Sequence, residues 1–419
     1  MSSLSERDIC AIWHPFTQAL ISDPPIGIVR GKGSLLYTEE GKELVDAISS
    51  WWVNIHGHAN PYIAQRISTQ LATLEHVMFG GFTHEPAVRL AEELLKLLPN
   101  NQDKIFYSDN GSTATEVALK MAIQFWANQG IKKRQIIALK GSYHGDTFGA
   151  MAMSERGIFT LAFHDLLLPV IFIDLEQEEK KVLSDFEDAI KSDTAAFIFE
   201  PIIQGVAGMR ISNPSLVDKL IRTAKKSRII TIADEVMTGF YRTGKTFASD
   251  YLQEKPDIIC LSKSLTGGFL PLGVTSCSQY IYEAFLSRDR RQTFFHGHSY
   301  TANPLACTAA CATLELLQKK ECLDNIARIE SMHKTFLDEI ADYPKCHLPR
   351  QLGTICAFNF DTDKFDYTCE AHQKLYKFYL NRGILLRPLG AVVYVMPPYS
   401  TTTEQLERIY SVIKESLTL

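Results

Sequence analysis

An ammonium placed directly after an apolar run is costly unless it is paired or reactive, and Lys263 in "DIICLSKSLTGG" stands in that position. A second wholly apolar run, "RIITIADEV", ends in two carboxylates, Asp234 and Glu235, and a buried carboxylate there calls for a cationic partner. In "YSDNGSTATE" a strand-like run passes into a helix-like one whose Thr113 and Glu116 have capping-box spacing. Bare amides at such a helix start attract an anion, and Gly111 lets a phosphate approach closely. In "KGSYHGDTFGAM" Tyr143 lies between glycines, where its ring could stack on a flat ligand, while His144 reads as a hydrogen-bonded loop histidine rather than a base. Each stretch alone has a plainer explanation: a surface lysine, a capped helix, a packed tyrosine.

The elements that must position these residues are legible as alternation. "DKIFYSD", "RQIIALK", "AAFIFEP", "RIITIADE" and "DIICLSK" are short apolar runs, and amphipathic stretches such as "TATEVALKMAIQFWANQG" and "PSLVDKLIRTAKKS" separate several of them. That pattern predicts an α/β fold with a mostly parallel sheet covered by helices, and ligands of such sheets bind at the carboxyl ends of the strands. The Asp234 and Lys263 runs, joined by a loop, would then open on one crevice. A carboxylate for a protonated ring nitrogen, a phosphate cradle and an amine able to form a Schiff base are what pyridoxal phosphate asks of a protein. "GSLLYTEEGKELVDA" reads as a hairpin, and long helical patterns at 304–341 and 365–382 with the strands "ICAFNF" and "VVYVMP" follow the alternating region. The expected organisation is a large ligand-binding domain over 60–305 and a smaller α+β domain built from 1–59 and 306–419.

Composition narrows the function classes. The 419 residues are 46% hydrophobic and 22% charged with a net charge of −5 and no long run of like charge, so neither nucleic acid nor an anionic membrane is an expected partner. Nine cysteines without a C-x-x-C pair predict neither a disulfide framework nor a zinc site, and Cys307 and Cys311 read as small buried thiols. His56-Gly57-His58 and His296-Gly297-His298 lack helical metal-ligand spacing, so no metal is expected. No apolar stretch of membrane-spanning length and no leader-like start is present, and a reducing, cytoplasmic setting is expected.

"ADEVMTGFYRTG", "LSKSLTGG", "SYHGDTFGAMA" and "EPIIQGVAGM" together resemble the class III pyridoxal-phosphate aminotransferases, of fold type I, along the whole chain. The resemblance implies that Lys263 bonds to the cofactor's aldehyde carbon, that Asp234 pairs with the pyridinium nitrogen, and that the amides of Gly111 and Ser112 hold the phosphate. Tyr143 would cover one ring face and Val236 the other. It further implies a homodimer, in which the loop "FFHGHSYTANPLAC" lines the neighbouring site: Gly297 near substrate, His298 and Ser299 at the partner's phosphate. Arg387 would take a substrate carboxylate, because its fork fixes the angle of two parallel hydrogen bonds, with Trp51, Tyr394 and Phe16 beside it. Phe16 replaces the tyrosine usual in "WHPFT", which removes a hydroxyl, and His298-Ser299 replaces a Pro-Thr pair, where serine keeps an oxygen for phosphate.

Ping-pong transamination is the implied reaction. Trp51, Trp52, Tyr143 and Tyr394 could wall a pocket suited to the sulfonium and adenine of S-adenosylmethionine, which favours that donor over lysine. The rivals are a class III enzyme acting on ornithine, 4-aminobutyrate or another ω-amine, and a cofactor-binding protein without catalysis. Trp51-Trp52 and "IWHPFTQ" argue against the first, and the joint presence of Lys263, Asp234 and Arg387 against the second.

Overall fold

The computed structural model describes residues 2–362 and 371–418. Its N-terminal strands β1 (Ile28–Lys32), β2 (Leu35–Thr38) and β3 (Glu43–Asp46) form an antiparallel meander, with the expected hairpin turn between β2 and β3. The central sheet holds β4 (Gln102–Ser108), β5 (Gln135–Leu139), β6 (Val170–Ile173), β7 (Thr194–Phe199), β8 (Ile230–Asp234), β9 (Ile258–Leu261) and β10 (Gly273–Ser278), in the spatial order β4-β10-β9-β8-β7-β5-β6. From β9 across to β6 all pairings are parallel, but β10 runs antiparallel to both β9 and β4. The reason is the short connection: residues 262–272 have no room for the dozen or more residues of a parallel crossover. A short strand β11 (Ile384–Leu385) pairs with β3, so the two ends of the chain share a sheet.

Strand periodicity divides the core. Ile137, Leu139, Phe197, Phe199, Ala233, Ile259 and Leu261 pack on one face, among the helices Glu179–Ala189 and Pro214–Lys226. Their immediate neighbours Ile136, Ala138, Ala196, Ile198, Ile232, Ile258 and Cys260 pack on the other, against helix Gly111–Asn128. Burial on both faces is why these strands are continuously apolar, and each fully buried phenylalanine adds about 2–3 kcal/mol of transfer free energy.

The long helical pattern at 304–341 is two helices, Pro304–Leu317 and Lys320–Ile340, broken between them. The first packs against the turn carrying Lys263 and buries Cys307 and Cys311, whose thiols burial pushes up, Cys311 to about 12. Of the pattern at 365–382, the structure shows helix Ala371–Asn381, and its earlier residues lie outside the described ones.

Candidate active site

Where β8 and β9 end, beside the start of helix Gly111–Asn128, lies a cavity of about 460 Å³. Lys263, Asp234, Val236, Tyr143, Gly111 and Ser112 all line it. β8 and β9 are parallel neighbours, with Asp234 opposite Cys260, so the chain reaches Lys263 just past the strand end. Lys263 occupies a single 3-10 turn with φ at +41°, a left-handed conformation costly for a side-chain-bearing residue. Its ammonium lies 4.4 Å from the centre of the Trp52 ring. Burial lowers its pKa to about 8, against the upward pull of Asp234 and Glu200 and with some help from Arg242.

Asp234 is buried and uses both oxygens: Oδ1 accepts the Val236 N–H at 3.0 Å, and Oδ2 is 2.7 Å from His144 Nδ1. His144 is thus the hydrogen-bonded loop histidine expected, and it is further held through its own backbone by Ser154 and Thr115. Glu235, by contrast, has no ion-pair partner among the described residues. Its carboxylate accepts from Ser249 N–H and Oγ, both at 2.6 Å, from Ala248 N–H at 3.0 Å and from the Thr238 hydroxyl. Amides and hydroxyls supply enough donors to replace the ion pair, although burial still raises the carboxyl pKa.

The helix start also differs from the spacing-based expectation. The capping box is Asn110 with Thr113, because the helix begins at Gly111 rather than after Thr113. Glu116, in the second turn, instead accepts the N–H groups of Gly149 and Ala150 at 2.7 and 3.3 Å, in the first turn of helix Phe148–Met153. Gly111 and Ser112 consequently sit in the first turn, where their amides have no intrahelical acceptor.

Several observations test whether pyridoxal phosphate fits. A Cβ on Gly111 would come within 2.7 Å of Val236 Cγ1, and one on Gly145 within 2.1 Å of Ser112 Oγ, so side chains there would intrude on the cavity wall. The unpaired amides of the helix start, the Asp234 carboxylate, the Lys263 amine and the side chains of Tyr143 and Val236 line the one cavity, which is the donor set the cofactor asks for. Nε2 of His144 and Oγ1 of Thr147, both buried, have no partner among the described residues. The residues present fit the cofactor.

Glu200 is a titratable lining residue that spacing did not single out. It directly follows β7 as Asp234 ends β8, and that shared pattern of an apolar run closing on a carboxylate was the available signal. Oε1 accepts Tyr143 N–H at 3.1 Å and Oε2 accepts Gly205 N–H at 3.0 Å; burial pushes its pKa up to about 7.

The residues expected at the substrate carboxylate stand outside the cavity lining. Arg387 lies over the Trp51 ring at 5.3 Å, and Phe16 meets Trp51 edge-on at 5.5 Å. Phe159 joins Phe16 to Tyr143, with ring centres 5.9 and 6.1 Å away. Tyr394 is buried against Trp52, whose indole N–H donates to its hydroxyl at 3.0 Å. Gly297 and Ser299 are exposed on a loop that Phe295 and Tyr300, both largely exposed, flank. His56 bonds the Thr313 carbonyl and His58 the Asp46 carboxylate.

This fold, with a lysine and an aspartate at adjacent strand ends facing a helix N-terminus, defines a class, and residues 18–417 match the model of the class-III aminotransferase family. The chain belongs to that family, whose enzymes are pyridoxal-phosphate-dependent. It is 46% identical to adenosylmethionine-8-amino-7-oxononanoate aminotransferase of Synechococcus elongatus, over 97% of this chain and 98% of that one. The crystal structure of the enzyme of that name from Methanocaldococcus jannaschii superposes with a TM-score of 0.93 at 34% identity, covering 98% of each chain. An omega transaminase from Pseudomonas jessenii, in complex with PMP, reaches the same TM-score at 25% identity, with 100% of this chain and 98% of that one covered.

Proposed function

We propose that this protein transfers an amino group to 8-amino-7-oxononanoate, giving 7,8-diaminononanoate for biotin synthesis, with S-adenosylmethionine as donor. One observation carries the chemistry: Lys263, Asp234 and the first residues of helix Gly111–Asn128 line a single cavity together with Tyr143 and Val236. The substrate assignment rests on similarity along the full chain to enzymes bearing that name.

Pyridoxal phosphate, when bound, supplies a conjugated ring that accepts the electrons left when an amine's α-carbon loses its proton. The chain's residues do the rest. Asp234 would pair with the ring nitrogen and keep it protonated, and its bonds to His144 and Val236 hold the carboxylate in place. Gly111 and Ser112 would hold the phosphate through their amides at the helix start. Lys263, with its pKa lowered to about 8, is neutral often enough near neutral pH to attack a carbonyl carbon and to move a proton at the reacting carbon. Arg387 takes the carboxylate of the acceptor.

A homodimer completes the site in this reading, with Gly297, His298 and Ser299 reaching the partner's cavity. The exposed Phe295 and Tyr300 beside them support a buried interface. The same reading keeps 60–305 as the large cofactor-binding domain and the chain ends as the smaller one, in a cytoplasmic protein. No helix among the described residues is long and apolar enough to cross a membrane.

The aromatic group of Trp51, Trp52, Phe16 and Tyr143 favours the sulfonium donor, since cation–π attraction and stacking are worth about 0.5–2 kcal/mol each. Rapid mixing of the cofactor-loaded enzyme with each donor provides the test. S-adenosylmethionine is expected to discharge the visible band of the lysine-linked cofactor. Discharge by lysine alone would reverse the donor, and discharge by neither but by ornithine or 4-aminobutyrate would overturn the substrate assignment.

A further inference from the structure

Ser49, Ser50, Trp51 and Trp52 have φ of +51°, +42°, +73° and +74°, and the ψ values of Ser50 and Trp51, 59° and 42°, complete the left-handed conformation. Four consecutive residues with side chains therefore have positive φ, and the middle two are fully left-handed. None is glycine, and L-residues enter this region only at a cost that the surroundings must impose.

The surroundings do impose it. Asp46, fully buried at the end of β3, accepts the Ile48 N–H at 3.1 Å through Oδ1 and the Ser50 hydroxyl at 2.7 Å through Oδ2, which also bonds His58 at 2.8 Å. Ser49 Oγ donates to the Met396 carbonyl at 2.9 Å. The Trp52 carbonyl accepts from Arg242 at 3.3 Å and from Ser264, the residue after Lys263, at 3.4 Å. What the turn presents is a pair of adjacent indoles to two different cations: Trp52 against Lys263 at 4.4 Å, and Trp51 beneath Arg387 at 5.3 Å.

We propose that this left-handed turn, clamped by Asp46 through Ser50, is the positioning element that holds Trp51 under Arg387 and Trp52 over Lys263, and so sets affinity for the carboxylate-bearing acceptor. Ser50 and Asp46 are positioning residues, since neither lines the cavity. The kinetic part rests on the aminotransferase reading; the structural part does not.

The test separates the hydroxyl from the backbone. Ser50→Ala removes the clamp and leaves a residue that disfavours positive φ, whereas Ser50→Gly removes the same hydroxyl but adopts positive φ freely. Ser50→Ala is expected to raise KM for 8-amino-7-oxononanoate about tenfold with kcat within about twofold, and to weaken the tryptophan near-ultraviolet circular dichroism of the cofactor-free protein. Ser50→Gly should restore both. Equal impairment of the two variants, or a wild-type-like Ser50→Ala, overturns the proposal. Should Ser50→Ala fail to fold, Ser50→Gly and Ser50→Asn decide it, asparagine also tolerating positive φ: wild-type dichroism and KM in both sustain it, and a tenfold rise in either overturns it. If the wild-type enzyme turns over none of the acceptors, the functional reading fails, while the dichroism of the cofactor-free variants still decides the turn.

Discussion

Lys263 costs the cofactor-free protein stability, and the cost has a defined pH window. Burial lowers its pKa from 10.5 to about 8, so the unfolded chain binds more protons than the folded one between those limits. Stability therefore rises with pH across that window: the penalty is complete below about pH 8 and gone above about 10.5. At about 1.4 kcal/mol per pKa unit it amounts to about 3 kcal/mol, an upper value because the cavity opens on solvent. Lys263→Met keeps an unbranched stem of similar volume, the same φ strain and the contact with Trp52 while removing the charge. Urea midpoints of both cofactor-free proteins, at matched concentration from pH 7 to 10.5, should show the variant more stable at pH 7. The advantage should shrink by about 3 kcal/mol as the pH rises from 8 to 10.5. Lost cation–π attraction and gained apolar packing shift the two curves by a constant and leave that slope intact. A difference independent of pH, or one growing towards pH 10.5, would refute the argument that desolvation of this amine outweighs its attraction to Asp234 and Glu200. The same variant should lack transamination and the visible band of the lysine-linked cofactor, which would make this strain the cost of function.

Asp234→Asn should retain cofactor, measured by equilibrium dialysis, yet lose turnover by at least 100-fold, because an amide fits the space but does not stabilise a protonated ring nitrogen. Gly111→Ala should lower cofactor affinity at least tenfold, its Cβ meeting Val236 at 2.7 Å, and fluorescence titration measures it. Arg387→Lys should raise KM for the carboxylate acceptor at least tenfold with a smaller change in kcat, since an ammonium lacks the planar fork; steady-state kinetics checks this.

Much of the site was legible in the chain because its residues follow a rule of strand ends. Lys263 and Asp234 each close an apolar run, and a parallel sheet carries such ends to one edge. Gly111 and Tyr143 lie within a few residues of strand or helix termini, where local pattern singled them out, whereas Ser112 and Val236 came only from the family resemblance. Glu200 obeys the same rule and could have been read. What local pattern could not supply was partner choice. Thr113 and Glu116 have capping-box spacing, yet Asn110 starts the helix and Glu116 serves another one, because a cap is decided by where the first turn packs. Glu235 resembles a residue in want of a cation, and only the fold brings Ser249 and Ala248 around to satisfy it. β10 is antiparallel because of a short connection whose consequence appears only once β9 has its neighbours.

The sequence by itself determined the chemistry on offer: an amine, a carboxylate and a bare helix start, each at the end of an element whose period is local. The tertiary structure alone decided how those groups stand to one another. The pairing of His144 with Asp234 joins residues ninety positions apart, and the left-handed turn at Ser49–Trp52 exists only because Asp46, His58, Met396 and Arg242 close on it. No propensity favours such a turn, for its conformation is unfavourable in isolation and becomes stable only when contacts from distant segments outweigh the local cost.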